Sequence, residues 1–131
     1  MGTEFTFFDY TDSSGVNVIR EWLHAQGARV EAKLDGWIKH LEATPPGSWS
    51  RPLVDTLTGE CEGLIEIRAQ VSKVQYRLLG FHGPTAREVT LVLGAAEKEG
   101  RWEPPSACQQ ALSKRNEVLA DLTRRKKHGF G

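Results

Sequence analysis

Arg68 and Arg77 are the residues best placed to do chemistry. Each sits in an alternating run: Ile65 and Ile67 alternate with Glu66 and Arg68, then Val74, Tyr76 and Leu78 with Gln75, Arg77 and Leu79. A period of two puts Glu66, Arg68 and Arg77 on one face of an antiparallel pair of strands. Two guanidinium groups there would form a planar clamp for a phosphate. The same pattern also suits a cross-strand ion pair between Glu66 and one of the arginines, and the spacing leaves both open. Lys98 and Arg101 follow in the charged stretch 97–103 (EKEGRWE), where they would extend a cationic surface or simply face solvent. Trp102 beside them would either stack on a base, a contact worth roughly 1–3 kcal/mol, or anchor the core. Arg115 falls on the apolar stripe of the last helical segment, from which it would reach the same surface or pair with a buried carboxylate. His82, in a turn, and His128, in the tail, titrate in the useful range, but both read as surface residues.

The elements that must position these side chains can be read around the central stretch 63–96. Its three apolar runs are separated by two polar breaks, 69–73 and the Gly-Pro turn at 82–85. That predicts a three-stranded meander over 63–94. The third run (EVTLVLG) is apolar nearly throughout, as a strand covered on both sides would be. Upstream, residues 4–10 (EFTFFDY) have strand propensity, and helices are expected over 16–26 and 28–43. In the second helix Val30, Leu34, Trp37, Ile38 and Leu41 form one stripe, which Thr44-Pro45-Pro46-Gly47 stops. Residues 48–62 are the least regular, with Trp49, Leu53, Val54 and Leu57 expected to pin them to the core. A last helix over 105–123 opens at Pro104-Pro105, with the S-x-x-Q spacing of a capping box at Ser106 and Gln109. Its apolar stripe is Cys108, Ala111, Leu112, Leu119 and Leu122. The expected fold is α+β, a small antiparallel sheet with all helices on one face and the other face open. The basic end, 124–131, is expected to fray.

Composition bounds the function. At 131 residues, 39% hydrophobic and 26% charged, the chain suits one domain, 1–131, with a core of its own. No apolar run is long enough for a membrane span and the N-terminus lacks a signal peptide, so a cytoplasmic protein without membrane contact is expected. Cys61 and Cys108 match no metal or redox spacing and read as reduced thiols. No metal or cofactor is expected, and without a nucleotide loop, paired catalytic carboxylates or a triad a small-molecule enzyme has little support. Residues 1–65 carry 5 Lys and Arg against 10 Asp and Glu, a net −5; residues 66–131 carry 12 against 7, a net +5. Such asymmetry suits an acidic or amphipathic partner on the C-terminal half, though uneven scatter gives the same numbers.

At this point the residues resemble a family. The run 63–68 (GLIEIR) and the run 76–81 (YRLLGF) are similar to the G-L-x-E-[LI]-R and Y-R-[LIV] strands of the RelE/HigB superfamily, toxins of type II toxin–antitoxin pairs. The phage-derived, HigB-like branch is the nearest likeness. It also has an E/K-rich connector, here Glu97-Lys98, an aromatic-Glu-Pro step, here Trp102-Glu103-Pro104, and an A-x-x-x-R pattern, here Ala111 to Arg115. The resemblance implies a RelE-like fold and a metal-independent endoribonuclease that cuts mRNA on the ribosome. It also implies a cognate antitoxin, commonly a helix-turn-helix protein. On that basis Arg68, Arg77, Lys98 and Arg101 would be catalytic, with Trp102 and Arg115 on the RNA. Arg77→Ala would then abolish activity and leave the melting temperature almost unchanged. Two departures stand out: Glu66, Glu97 and Glu99 add negative charge where relatives are basic, and the last helix opens without the Tyr or His often used there. The general base is unassigned. The competing reading is an interaction module of this fold that binds an antitoxin or another target without cleaving RNA.

Overall fold

The computed structural model describes residues 4–45, 47–49 and 53–129. Among them the order is β1 (Thr6–Tyr10), α1 (Val18–Gln26), α2 (Ala28–Glu42), β2 (Val54–Thr56), β3 (Ile65–Val71), β4 (Val74–His82), β5 (Glu88–Lys98), β6 (Arg101–Glu103), α3 (Ala107–Ala120) and β7 (Arg125–Lys127). The strands form one sheet in the order β2-β3-β4-β5-β1-β7, with β6 folded back onto β5. Every pairing is antiparallel except β1 with β5. The expected meander is β3-β4-β5. Its first break is shorter than expected, a two-residue turn in which Ser72 and Lys73 both take positive φ, as tight hairpins require.

The sheet is larger than the small one expected, and it is covered on both faces. Phe5, Phe7, Ile65, Ile67, Ala69, Leu78, Val89 and Leu91 pack against α1 and α2 through Ile19, Leu23, Val30, Leu34 and Ile38. A second core, of Leu64, Leu79, Phe81, Leu93 and Ala95, meets Ala107, Ala111 and Val118 of α3. The helices are therefore not all on one face. β4 offers apolar side chains to both sides, Leu78 to α1 and α2 and Leu79 and Phe81 to α3. In its pairing with β5 the register shifts between Leu79 and Gly80, so that Leu79 faces Leu93 and Gly80 faces Leu91. The irregularity inverts the alternation of β5. Leu91 points to α1 and α2, while Leu93 and Ala95 point to α3.

Helix α3 also departs from its expected stripe. Its buried residues are the small Ala107 and Ala111 with Val118, whereas Leu119 and Leu122 are more than half exposed. Ser106 caps no backbone N–H, so the expected capping box does not form. Instead Cys61 and Cys108 are joined in a disulfide, Cα atoms 5.0 Å apart, tying the turn before β3 to the first turn of α3. The thiols read as reduced are thus paired; their separation of 47 residues in sequence concealed that they meet in space. Trp49 does pin its loop, stacked near Phe7 and 4.4 Å from the Phe5 ring. Pro46 of the helix-stopping turn lies outside the described residues.

The basic end is a strand where fraying was expected. β7 pairs with β1 through Phe8↔Lys127, Asp9↔Lys126 and Tyr10↔Arg125, and Arg125 bonds Glu88 at 2.9 Å while lying over the Phe8 ring. The last two residues of that end, 130 and 131, are not among those described. Among the described residues no helix is long and apolar enough to cross a membrane.

Candidate functional site

Antiparallel register puts Arg68 of β3 directly opposite Arg77 of β4, and both share the α3-facing side of the sheet with Glu66. The expected coplanarity of the three holds; the expected openness does not. Arg77 Nη1 donates to both Glu66 oxygens, at 2.7 and 2.6 Å. Its Nη2 donates to Gln75 Oε1 at 2.8 Å and to Glu97, and its guanidinium lies 4.8 Å from the centre of the Trp102 ring. Arg77 is 11% exposed and Glu66 2%. The cross-strand pair left open by the sequence is therefore formed, and it is the buried member of the cluster. Arg68, 26% exposed, stands with Nε 3.8 Å from Glu66 Oε1. It is the arginine that reaches solvent.

Trp102 enters from β6, where it pairs with Glu97 across the hairpin. What reads as a connector in the sequence is thus the end of β5, a turn and a short return strand. Lys98 and Arg101 are partners in the same hairpin. Cross-strand partners share a face and neighbours alternate, so these two project from the side opposite Glu97, Trp102 and Arg77. The fold brings Arg68, Arg77 and Trp102 together and sets Lys98 and Arg101 apart.

Arg115 reaches the sheet from α3. Its guanidinium packs on Gly63, where a Cβ would sit 2.7 Å from Nη1 and where φ is +96°, so only glycine fits. Among the described residues the buried Nε atoms of Arg77 and Arg115 have no hydrogen-bond partner. The residues that sequence reasoning missed here are Gln75 and Glu97, both acceptors for Arg77; the polar positions of an alternating pair were the available signal.

A second polar cluster lies on the α1–α2 side. His128, fully buried, bonds Asp9 at 2.7 Å through Nδ1 and Asp35 at 2.9 Å through Nε2. Arg20 donates to Asp35 at 2.9 Å and Glu31 at 2.7 Å, and Asn17 to Asp9 at 2.9 Å. Burial alone would depress the His128 pKa, but hydrogen bonds and charge from Asp35 and Asp9 outweigh it and raise the value to about 9. Burial likewise opposes ionisation of Asp35, yet His128 and Arg20 hold its pKa below the ordinary range. His128 is thus no surface residue. His82 does stay at the surface, as the last residue of β4 beside Trp49, its pKa lowered by partial burial. Among the described residues no group of His, Cys, Asp or Glu could hold a metal ion. Comparison of the chain with protein-family models, with curated proteins and with solved structures gave no match.

The first cluster is the one with solution access and a chemistry to offer. A carboxylate set between two guanidinium groups is a hydrogen-bond acceptor, while an arginine at its rim binds an anion. The second cluster is closed on itself, with partners for both ring nitrogens of His128.

Proposed function

We propose that this chain is the toxin of a type II toxin–antitoxin pair, of the RelE/HigB kind, acting as an endoribonuclease on mRNA at the ribosome. One observation carries the reading: Glu66 lies between Arg77 and Arg68 on a single sheet face, with Arg68 the more accessible of the two arginines. Transesterification of RNA needs a cation on the phosphate and a base for the attacking 2′-OH. Arg68 would bind the scissile phosphate and Glu66 would take the proton. Arg77 would hold Glu66 in orientation, so the two-arginine clamp is replaced by one contacting and one positioning arginine. The cognate antitoxin would supply an acidic, amphipathic segment for the basic C-terminal end, where Leu119 and Leu122 lie exposed near Lys126 and Lys127.

The second reading, an interaction module without nuclease activity, is favoured by the engagement of both terminal nitrogens of Arg77 within the chain. Glu66, Gln75 and Glu97 all accept from it. Induced expression separates the two, with growth followed and mRNA 5′ ends mapped for the wild type and for Arg68→Ala. The nuclease reading expects growth arrest with new mRNA ends, both lost in Arg68→Ala while that variant stays folded. Arrest without new ends supports the module, and unimpaired growth overturns the toxin reading.

A further inference from the structure

At the outer end of the β3–β4 hairpin, a cleft of about 380 Å³ opens between α2 and the sheet. Lys33 and Trp37 of α2 line it together with Leu53 and, from the hairpin, Arg68, Gln70 and Gln75. The last three alternate to the α3 side of the sheet, so they line the cleft where it opens at the edge of β3. Trp37 lies on the apolar stripe of α2, yet it is 36% exposed while Leu34, Ile38 and Leu41 on the same stripe are buried. Lys33 Nζ donates to the Gln70 carbonyl at 2.9 Å, which fixes the ammonium at the rim and leaves two of its three donors. Gln75 turns its amide oxygen to Arg77, so its NH2 group can only donate. The cleft is continuous with the site already described, because Arg68 and Gln75 belong to both.

An indole plane, two cations and two carboxamides within one cleft are the groups that bind a nucleotide. The ring takes the base, the amides meet base edges and the cations take the phosphate. We propose that the cleft is a nucleotide subsite. A base lies against Trp37, and its phosphate lies between Lys33 and Arg68, so that single-stranded RNA runs from the cleft toward Glu66. This deepens the RNA reading and rests on it for the direction of the strand.

The test uses the full chain, with nucleoside 3′-monophosphates titrated by calorimetry and a labelled short single-stranded RNA followed by anisotropy. Cleavage is scored separately. Trp37→Ala is expected to weaken both ligands about tenfold or more, and Trp37→Phe to keep most of the affinity. Lys33→Gln should weaken the RNA and reduce the salt dependence of its binding by about one phosphate contact. Circular dichroism guards against unfolding. Wild type that binds neither probe, or Trp37→Ala that binds both as wild type does, overturns the subsite. RNA cleavage that persists in that case leaves the nuclease reading standing. Nucleotide binding that needs Trp37 in a protein that cleaves nothing upholds the cleft and sinks the nuclease.

Discussion

Removing Arg77 strands Glu66, a carboxylate 2% exposed whose two hydrogen bonds from Nη1 would vanish. Breaking a buried pair from one side typically costs about 3–5 kcal/mol, so Arg77→Ala is expected to unfold at a much lower denaturant midpoint. That reverses the expectation of an unchanged melting temperature. Arg68 is half-buried and stands 3.8 Å from Glu66 with no hydrogen bond at that distance, so Arg68→Ala should cost less stability than Arg77→Ala and is the cleaner probe of function. Replacing both members, Glu66→Leu with Arg77→Met, should recover much of the loss, which a chemical denaturation series would show. Period-two alternation made the shared face of Glu66, Arg68 and Arg77 legible. It could not reveal which arginine is buried, because that depends on Glu97 at the end of β5 and on Trp102 folding back beside it from β6.

Asp9 carried a signal that pattern reading passed over. It continues the Phe5, Phe7 face of β1, and a carboxylate on a buried face demands a partner. The partner is His128, delivered by β7, a strand too short and too basic to be recognised from propensity. Its folded pKa of about 9 exceeds the ordinary 6.5, so protonation and folding are linked. The stabilisation is fully present below about pH 6.5, declines above it, and is lost as pH rises through about 9. The gap corresponds to something on the order of 3 kcal/mol. Denaturant midpoints should fall across that window, and His128→Gln should flatten the decline; an equal decline in the variant would show that other groups cause it. Asp35 acts in the opposite sense: its lowered pKa gives stability above the ordinary carboxylate range that is lost as pH falls. The disulfide belongs to this scale too. Closing a loop of this length is worth about 2–4 kcal/mol, and a reductant should lower the midpoint accordingly while Cys61→Ser/Cys108→Ser shows no response.

Across the whole molecule, the opposed charges of the two halves are partly folded together. β1, from the acidic half, lies between β5 and β7 of the basic half, and His128 meets Asp9 and Asp35 there. Sequence halves are not spatial halves in this topology. The apolar run of β5 asked by its composition for cover on both faces, and both cores do meet on it, as they do on β4. Each face can therefore be perturbed separately. Gly94 lies directly under Trp22 of α1, since a Cβ there would overlap the ring. Gly94→Ala should push that ring outward at a cost of about 1–3 kcal/mol, the usual range for overpacking. Trp22→Ala removes the obstacle, so the double variant should fall well short of the summed losses, the coupling expected of residues in contact. Arg68 and Glu66 lie on the other side of the sheet. Below its lowered melting temperature, Gly94→Ala should therefore keep whatever activity Arg68 supports. Additive losses in the double variant would refute the contact. Loss of activity in a fully folded Gly94→Ala would show that the two layers act as one.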